Sequence, residues 1–154
     1  MLLNSSALTH NEKIPARYTC DGENFNPPFT ISYVPGAAKS LVFIVEDPDA
    51  PVGLWIHWLV WNIDPDITEI KENETPKDGV VGLNSGMRND WDSICPPDKE
   101  HRYFFKLYAL DTMLELDSKT AKNEDVVAAM EGHILAKAEF IGKYGKKEED
   151  STVA

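Results

Sequence analysis

Short apolar runs separated by turn residues dominate the pattern along this chain. Residues 29–33 alternate apolar and polar side chains, which is typical of a half-buried β-strand. Residues 41–45, with the sequence LVFIV, form an uninterrupted apolar run that predicts a central strand buried on both faces. Residues 55–62 and 101–110 are predicted as two further core strands. The residues between these runs are rich in glycine, proline, asparagine and aspartate, which are typical of turns.

One helix is predicted, near the C-terminus. Asn123 is placed to cap it, and Glu124 and Asp125 put negative charge on its first turn, where the helix dipole favours it. Apolar residues then recur at three- and four-residue steps and predict a stripe that packs on the sheet. They are Val126, Val127, Met130, Ile134 and Ala138, with Lys137, Lys143 and Lys146 toward the predicted end.

Predominant strands with a single late helix predict a mainly β protein rather than a βαβ alternation. We expect a β-sandwich-like core with a peripheral helix. The 154 residues fit one domain that can bury a core without disulfide staples. We place that domain at residues 1–146 and expect residues 147–154 to form a frayed acidic tail. Residues 64–92 are polar and predict loops.

The charge balance narrows the classes of partner. The chain has 26 acidic and 15 basic residues, for a formal net charge of −11. Such a surface repels phosphate backbones, so nucleic-acid binding is not expected. No apolar run reaches the roughly 20 residues that a bilayer span needs, and the first residues lack the basic lead of a secretory signal. The expected location is cytoplasmic.

Two carboxylates follow the buried run at 41–45 directly. Asp47 and Asp49 stand in the sequence Asp-Pro-Asp-Ala-Pro, where Pro48 and Pro51 restrict the backbone and hold the carboxylates in place. Asp and Pro are also the ordinary residues of turns, so a purely structural turn is the alternative.

A histidine interrupts the apolar strand at 55–62. Strict alternation predicts one face with Trp55, His57 and Leu59, and the opposite face with Ile56, Trp58 and Val60. A histidine at such a position needs a polar partner, because an unpaired buried polar group is costly. It is either a binding residue or a core histidine with its hydrogen bonds satisfied.

A third polar group follows Cys95, Pro96 and Pro97. His101 and Tyr103 come shortly afterwards and share one face of a predicted strand. Packing in the core is the alternative for Tyr103.

Together these features predict one small polar pocket. A carboxylate within about 4–6 Å of a histidine favours the imidazolium form, so both His57 and His101 are expected to have raised pKa values. A cation held in this way suits a phosphate or a carboxylate ligand. The second carboxylate can accept from an amine, which points to a small head group that carries both phosphate and amine.

These features, together with further motifs along the chain, resemble the phosphatidylethanolamine-binding protein family, also called Raf kinase inhibitor-like proteins. The resemblance is to its bacterial and archaeal branch of the YbhB/YbcL type in particular. The resemblance covers nearly the whole chain. The motifs are Ile14-Pro15, residues 18–24, Pro27-Pro28, residues 47–51, residues 55–63, Cys95-Pro96-Pro97, His101-Arg102-Tyr103 and residues 107–111.

The resemblance implies a large antiparallel sheet packed on a smaller one, with short helices at the side. It also implies an anion pocket for phosphate, acetate or phosphoethanolamine. Carried over by motif, the pocket residues are Asp47, Asp49, His57, Pro96, Pro97, His101 and Tyr103. Some members inhibit kinases or serine proteases, and prokaryotic members are often homodimers. The family carries no established catalytic activity, so we expect no enzyme and no cofactor.

The segment before Cys95 departs from the family pattern. The family has a glycine-rich stretch there, whereas this chain has Asp92, Ser93 and Ile94. We expect a wall formed by Ser93 and Ile94 to narrow the pocket or to replace a backbone donor by a hydroxyl.

The sequence leaves the state of the two cysteines open. Cys20 and Cys95 allow one disulfide without requiring it.

A hydrolase is the alternative function. In that case the histidines and aspartates would hold a metal, or Ser93 or Cys95 would serve as the nucleophile.

Overall fold

The computed structural model describes residues 1–145, which form two β-sheets, one α-helix and a short 3-10 turn. The strands are β1 (Leu2–Asn4), β2 (Glu12–Lys13), β3 (Phe29–Ser32), β4 (Ser40–Asp47), β5 (Trp55–Ile63), β6 (Glu69–Ile70), β7 (Val80–Val81), β8 (His101–Leu110) and β9 (Ile134–Tyr144). The helix α1 spans Asn123–Met130, and the 3-10 turn spans Ala16–Tyr18. The predicted tail at 147–154 lies outside the described residues.

The strands form a large and a small sheet, as the family resemblance implied. The small sheet has the order β1-β3-β6, and the large sheet has the order β2-β9-β8-β4-β5-β7. Pairing is antiparallel in both sheets except at one edge of the large sheet, where the short β2 runs parallel to β9. All four strands expected from the apolar runs are present, as β3, β4, β5 and β8.

An aromatic cluster fills the space between the two sheets. Phe29 of the small sheet meets Phe43 of β4 and Phe105 of β8, at ring-centroid distances of 5.7 and 4.8 Å. All three side chains are buried. Aromatic side chains remove large apolar areas from water, so this layer is a major source of the sandwich's stability.

The opposite face of the large sheet is covered as well. Val42 and Ile44 of β4 belong to a second buried cluster that includes Val126 and Met130 of α1. Strand β4 is therefore buried on both faces, which confirms the prediction from its uninterrupted apolar run.

The predicted helix is much shorter than its apolar stripe indicated. It ends at Met130, and Gly132 then takes a positive φ of 82°, which turns the chain. Ile134 and Ala138 lie on β9, with Ala138 opposite Leu107 of β8. A four-residue step is two periods of a strand, so the spacing was compatible with either element.

The predicted cap of this helix is also wrong. Asn123 is the first helical residue, and the N-cap is Lys122. The Lys122 backbone N–H donates to the Asp125 carboxylate at 2.9 Å, so Asp125 supports the first turn through a hydrogen bond as well as through its charge.

Within residues 1–145 no helix combines the length and the apolar character that crossing a bilayer would demand.

Candidate functional site

A cavity of about 410 Å³ opens at one end of the large sheet, where β4 ends and where β5 and β8 begin. The turn after β4 and the segment before β8 complete its walls. The lining residues are Asp47, Ala50, Pro51, Val52, Trp55, His57, Asp92, Ser93, Cys95, Pro96, Pro97, His101 and Tyr103. Six of the seven residues expected in the pocket are therefore brought together.

His101 is held between two carboxylates. Its Nδ1 lies 2.6 Å from Asp47 Oδ2, and its Nε2 lies 2.6 Å from Asp98 Oδ1. The imidazole and the Asp47 carboxylate are buried, whereas the Asp98 side chain is 44% exposed. Burial alone would lower the pKa of His101, but the hydrogen bonds and charges of the two carboxylates outweigh it and raise the pKa. The two carboxylates therefore favour the protonated, imidazolium form of His101.

Asp47 is itself fixed in position. Its Oδ1 accepts from the backbone N–H of Asp49 at 2.8 Å, while its Oδ2 faces His101. This small turn after β4 sets the direction of the carboxylate, and through it the direction of the imidazole. Both roles of the Asp-Pro-Asp sequence, turn and site, are therefore present at once.

His57 differs from the expectation that both histidines are charged. Its Nδ1 lies 3.0 Å from the Asp92 carbonyl oxygen. Burial is the main influence on this ring and lowers its pKa below the ordinary value. A carbonyl oxygen only accepts, so Nδ1 carries the proton and Nε2 of the neutral ring is an acceptor.

A β-bulge places His57 in the cavity wall. In the pairing of β4 with β5, Trp58 is opposite Val45 and Ile56 is opposite Glu46, which leaves His57 as an extra residue. Strict alternation fails here: Trp58 packs between the sheets, but Ile56 packs on the opposite face of the large sheet. Bulges re-aim side chains in this way, and sequence periodicity does not reveal them.

The ring of Tyr103 packs near the rings of both histidines. Its ring lies 5.4 Å from the ring of His57 and 6.3 Å from that of His101, measured between centroids. Burial, with a further contribution from the charge of Asp47, raises the pKa of the phenol well above its usual range. Tyr103 therefore remains a neutral O–H donor at the cavity wall.

Asp49 does not line the cavity, unlike the other expected residues. Arg102 binds its carboxylate through Nε at 2.9 Å, Nη2 at 2.8 Å and its backbone N–H at 2.9 Å. This pairing lowers the pKa of Asp49 to about 2. Through Arg102, Asp49 therefore links the turn after β4 to the start of β8.

Two aspartates near the cavity were missed in the sequence. Asp92 lines the wall and accepts from Trp55 Nε1 at 2.7 Å and from Arg88 Nη2 at 2.9 Å. Asp98 binds His101. The available signal was position alone: Asp98 follows the Pro96-Pro97 pair, three residues before His101.

The departure from the family pattern shapes one wall. Ser93 lines the cavity, and Asn24 Nδ2 donates to its Oγ at 2.6 Å. Ile94 points into the core and is buried. The hydroxyl expected at this wall is therefore present, and the wall is tied to the loop that carries Asn24.

A disulfide joins Cys20 to Cys95. It binds the loop after the 3-10 turn to the segment that carries Pro96 and Pro97, and the Cys20 N–H also donates to the Ile94 carbonyl at 3.1 Å. This resolves the question that the sequence left open. It also overturns Cys95 as a candidate nucleophile, because its sulfur is not a free thiol.

In the part of the chain that the structure describes, no group of three or more His, Cys, Asp and Glu side chains is arranged to hold a metal ion. Asp47 and Asp98 each pair with His101 instead, one at each ring nitrogen.

The fold and the site motifs define a class of protein. A model of the phosphatidylethanolamine-binding protein family matches residues 4–145, so the chain belongs to that family. It is similar to a UPF0098 protein of Methanothermobacter thermautotrophicus, with 48% identity over 94% of this chain and 98% of the relative. A UPF0098 protein of Chlamydia pneumoniae is 44% identical over 95% and 99% of the two chains.

Solved structures show the same likeness. The crystal structure of a putative phosphatidylethanolamine-binding protein homologue, CT736 of Chlamydia trachomatis, has a TM-score of 0.90 at 43% identity and covers 95% of this chain and 97% of its own. Escherichia coli YbcL, described as a new member of the mammalian family, has a TM-score of 0.86 at 28% identity and covers 95% and 98%.

Proposed function

We propose that this chain is a non-catalytic binding protein whose cavity takes a small ligand with a phosphate-type anion, of which phosphoethanolamine is the preferred form. The observation that carries the proposal is the buried imidazole of His101 in the cavity wall, held by the Asp47 carboxylate at 2.6 Å. The neutral phenol of Tyr103 beside it offers the anion a second hydrogen-bond donor.

The charges around the cavity favour a ligand that also carries an amine. Two lining carboxylates, Asp47 and Asp92, accompany one lining cation, His101. An anion without a positive group therefore gains little net Coulomb energy in this cavity. An ammonium group on the same ligand has carboxylates and the acceptor Nε2 of His57 to bind. We infer that phosphoethanolamine binds more tightly than inorganic phosphate.

The pH dependence of binding tests the proposal. His101 must be charged and its pKa is raised, so affinity is highest at low pH and falls as the pH rises past that value. Burial lowers the pKa of His57, so we expect His101 to supply the one proton linked to binding and affinity to fall at most about tenfold per pH unit. Calorimetric titrations between pH 5.5 and 8.5 with phosphoethanolamine, phosphate and sulfate measure this. Sulfate remains fully ionised in this range, so the pH dependence of its affinity reports protonation of the protein alone.

A matched pair of histidine variants controls the experiment. His101→Gln is expected to abolish binding. His133→Gln removes an exposed histidine that pairs with Asp111 at 2.7 Å, far from the cavity, and is expected to leave binding unchanged. The absence of heat with all three ligands at pH 5.5, or an affinity for sulfate that increases with pH, would overturn the proposal. The wild-type pH profile decides the question even if His101→Gln fails to fold.

We include regulation of a protein partner, a kinase or a serine protease, in the proposal on the strength of the family alone. The segment at residues 64–92, which was expected to be loop but contains the short strands β6 and β7, is the surface to test. A pull-down that is lost when this loop is replaced would support such a role.

A further inference from the structure

The two nitrogens of His101 are held very differently. Asp47, which takes Nδ1, is buried, belongs to β4 and is fixed by the Asp49 N–H. Asp98, which takes Nε2, is 44% exposed and lies outside every strand and helix, between Pro97 and β8. An incoming ligand cannot displace Asp47 without opening the core, whereas Asp98 can rotate into water.

The Asp98 carboxylate occupies the position that an anion would take. Its Oδ1 lies 2.6 Å from His101 Nε2, the ring nitrogen that no buried group binds. Both nitrogens of the ring are engaged as donors, so a phosphate cannot receive a hydrogen bond from His101 while Asp98 stays in place. The Asp98 carboxylate also cancels part of the charge that should attract the anion.

We propose that Asp98 is a built-in competitor for the anion site: its carboxylate occupies His101 Nε2 in the free protein and is displaced when a phosphate-type anion binds. This inference rests on the proposed function and adds a regulation of the same site. Ligand affinity is then set by an exchange of one oxyanion for another at His101 Nε2. The chemistry recognised is that of the anion itself, whether it comes as free phosphate or on a head group.

The charged and titratable groups around His101 determine the conditions of the test. Besides Asp98 they are Asp47 at the end of β4, Asp49 in the turn that follows, His57 on β5 and Tyr103 on β8 itself. Loss of the Asp98 charge makes His101 easier to deprotonate, so the comparison belongs at pH 5.5, below the ordinary histidine pKa of about 6.5. At pH 8.5 the same change is expected to bring little or no gain.

The experiment is a calorimetric comparison of wild type with Asp98→Asn at pH 5.5. The probes are inorganic phosphate, phosphoethanolamine and acetate. We expect the variant to bind phosphate at least about fivefold more tightly, since exposed ion pairs are weak but measurable competitors. Acetate, which imitates the Asp98 carboxylate, is expected to gain by a similar factor. Asp98→Glu keeps a carboxylate and should bind less tightly than Asp98→Asn.

A charge-matched control excludes a general effect of the net charge. Glu115→Gln removes one negative charge from an exposed residue outside the cavity lining and should leave the affinities unchanged. A second readout is the ¹⁵N shift of His101 Nε2, which should change in Asp98→Asn and on titration of wild type with phosphate.

The possible outcomes separate this inference from the proposed function. If wild type binds and Asp98→Asn binds no more tightly, the competitor role is wrong and the anion site stands. If only Asp98→Asn binds, the competitor role is supported and binding by the unmodified chain is overturned. If neither protein binds any probe, both are overturned.

Discussion

Replacing Asp47 by asparagine is expected to lower the free energy of unfolding by about 3 kcal/mol at pH 5.5, because it leaves the buried His101 cation without its buried partner. The raised pKa of His101 means that the folded state binds this proton more tightly than the unfolded chain does. This contribution to stability is complete below the ordinary histidine pKa, about 6.5, and disappears as the pH rises through the raised value. The loss in Asp47→Asn should therefore be clearly smaller at pH 9.

Denaturant unfolding at the two pH values measures this difference. Asp49→Asn is the matched control, since it makes the same change two residues away, at a carboxylate that binds the exposed Arg102. Its effect should be much smaller and nearly independent of pH in this range. An equal loss at pH 5.5 and pH 9 in Asp47→Asn would show that the ion pair with His101 is not its source.

Removal of the disulfide is expected to cost about 4 kcal/mol of unfolding free energy, because the bond closes a loop between residues 75 positions apart. The double variant Cys20→Ser/Cys95→Ser tests this in denaturant unfolding. Its cavity should also bind phosphoethanolamine more weakly, since Cys95 precedes the wall residues Pro96 and Pro97.

Reductant provides the internal control for this prediction. Dithiothreitol should destabilise the wild type to the level of the double variant and should leave the double variant itself unchanged. If the wild type unfolds at the same denaturant concentration with and without reductant, the bond contributes nothing to stability in solution.

Local pattern accounts for three strands of the large sheet and one strand of the small sheet. The apolar runs behind β4, β5 and β8 and the alternation behind β3 were sufficient to predict these strands, because side-chain periodicity reports which faces are buried. The same criterion failed at β9. Ile134 and Ala138 stand at a spacing that a helix and a strand share, and only pairing with β8 decides between them.

The site was predictable as a set of residue types but not as a geometry. The motifs identified His57, His101 and Tyr103 as residues of one pocket, and all three line the cavity. The protonation of His57 was not predictable. Its pKa is lowered mainly by burial at the β-bulge beside Val45. The ring nitrogen that carries the proton is set by a carbonyl oxygen 35 positions away in the chain.

The sequence by itself determined the strand-rich core, the family of this protein and the side chains available for binding. Each of these depends on residue identity and on near-neighbour spacing. The tertiary structure alone decided that Asp49 binds Arg102 rather than the cavity, that Cys20 bonds to Cys95, and that Asp98 binds His101. The reason is that hydrogen bonds, ion pairs and disulfides depend on ångström-scale distances between groups, and those distances exist only after the sheets have packed.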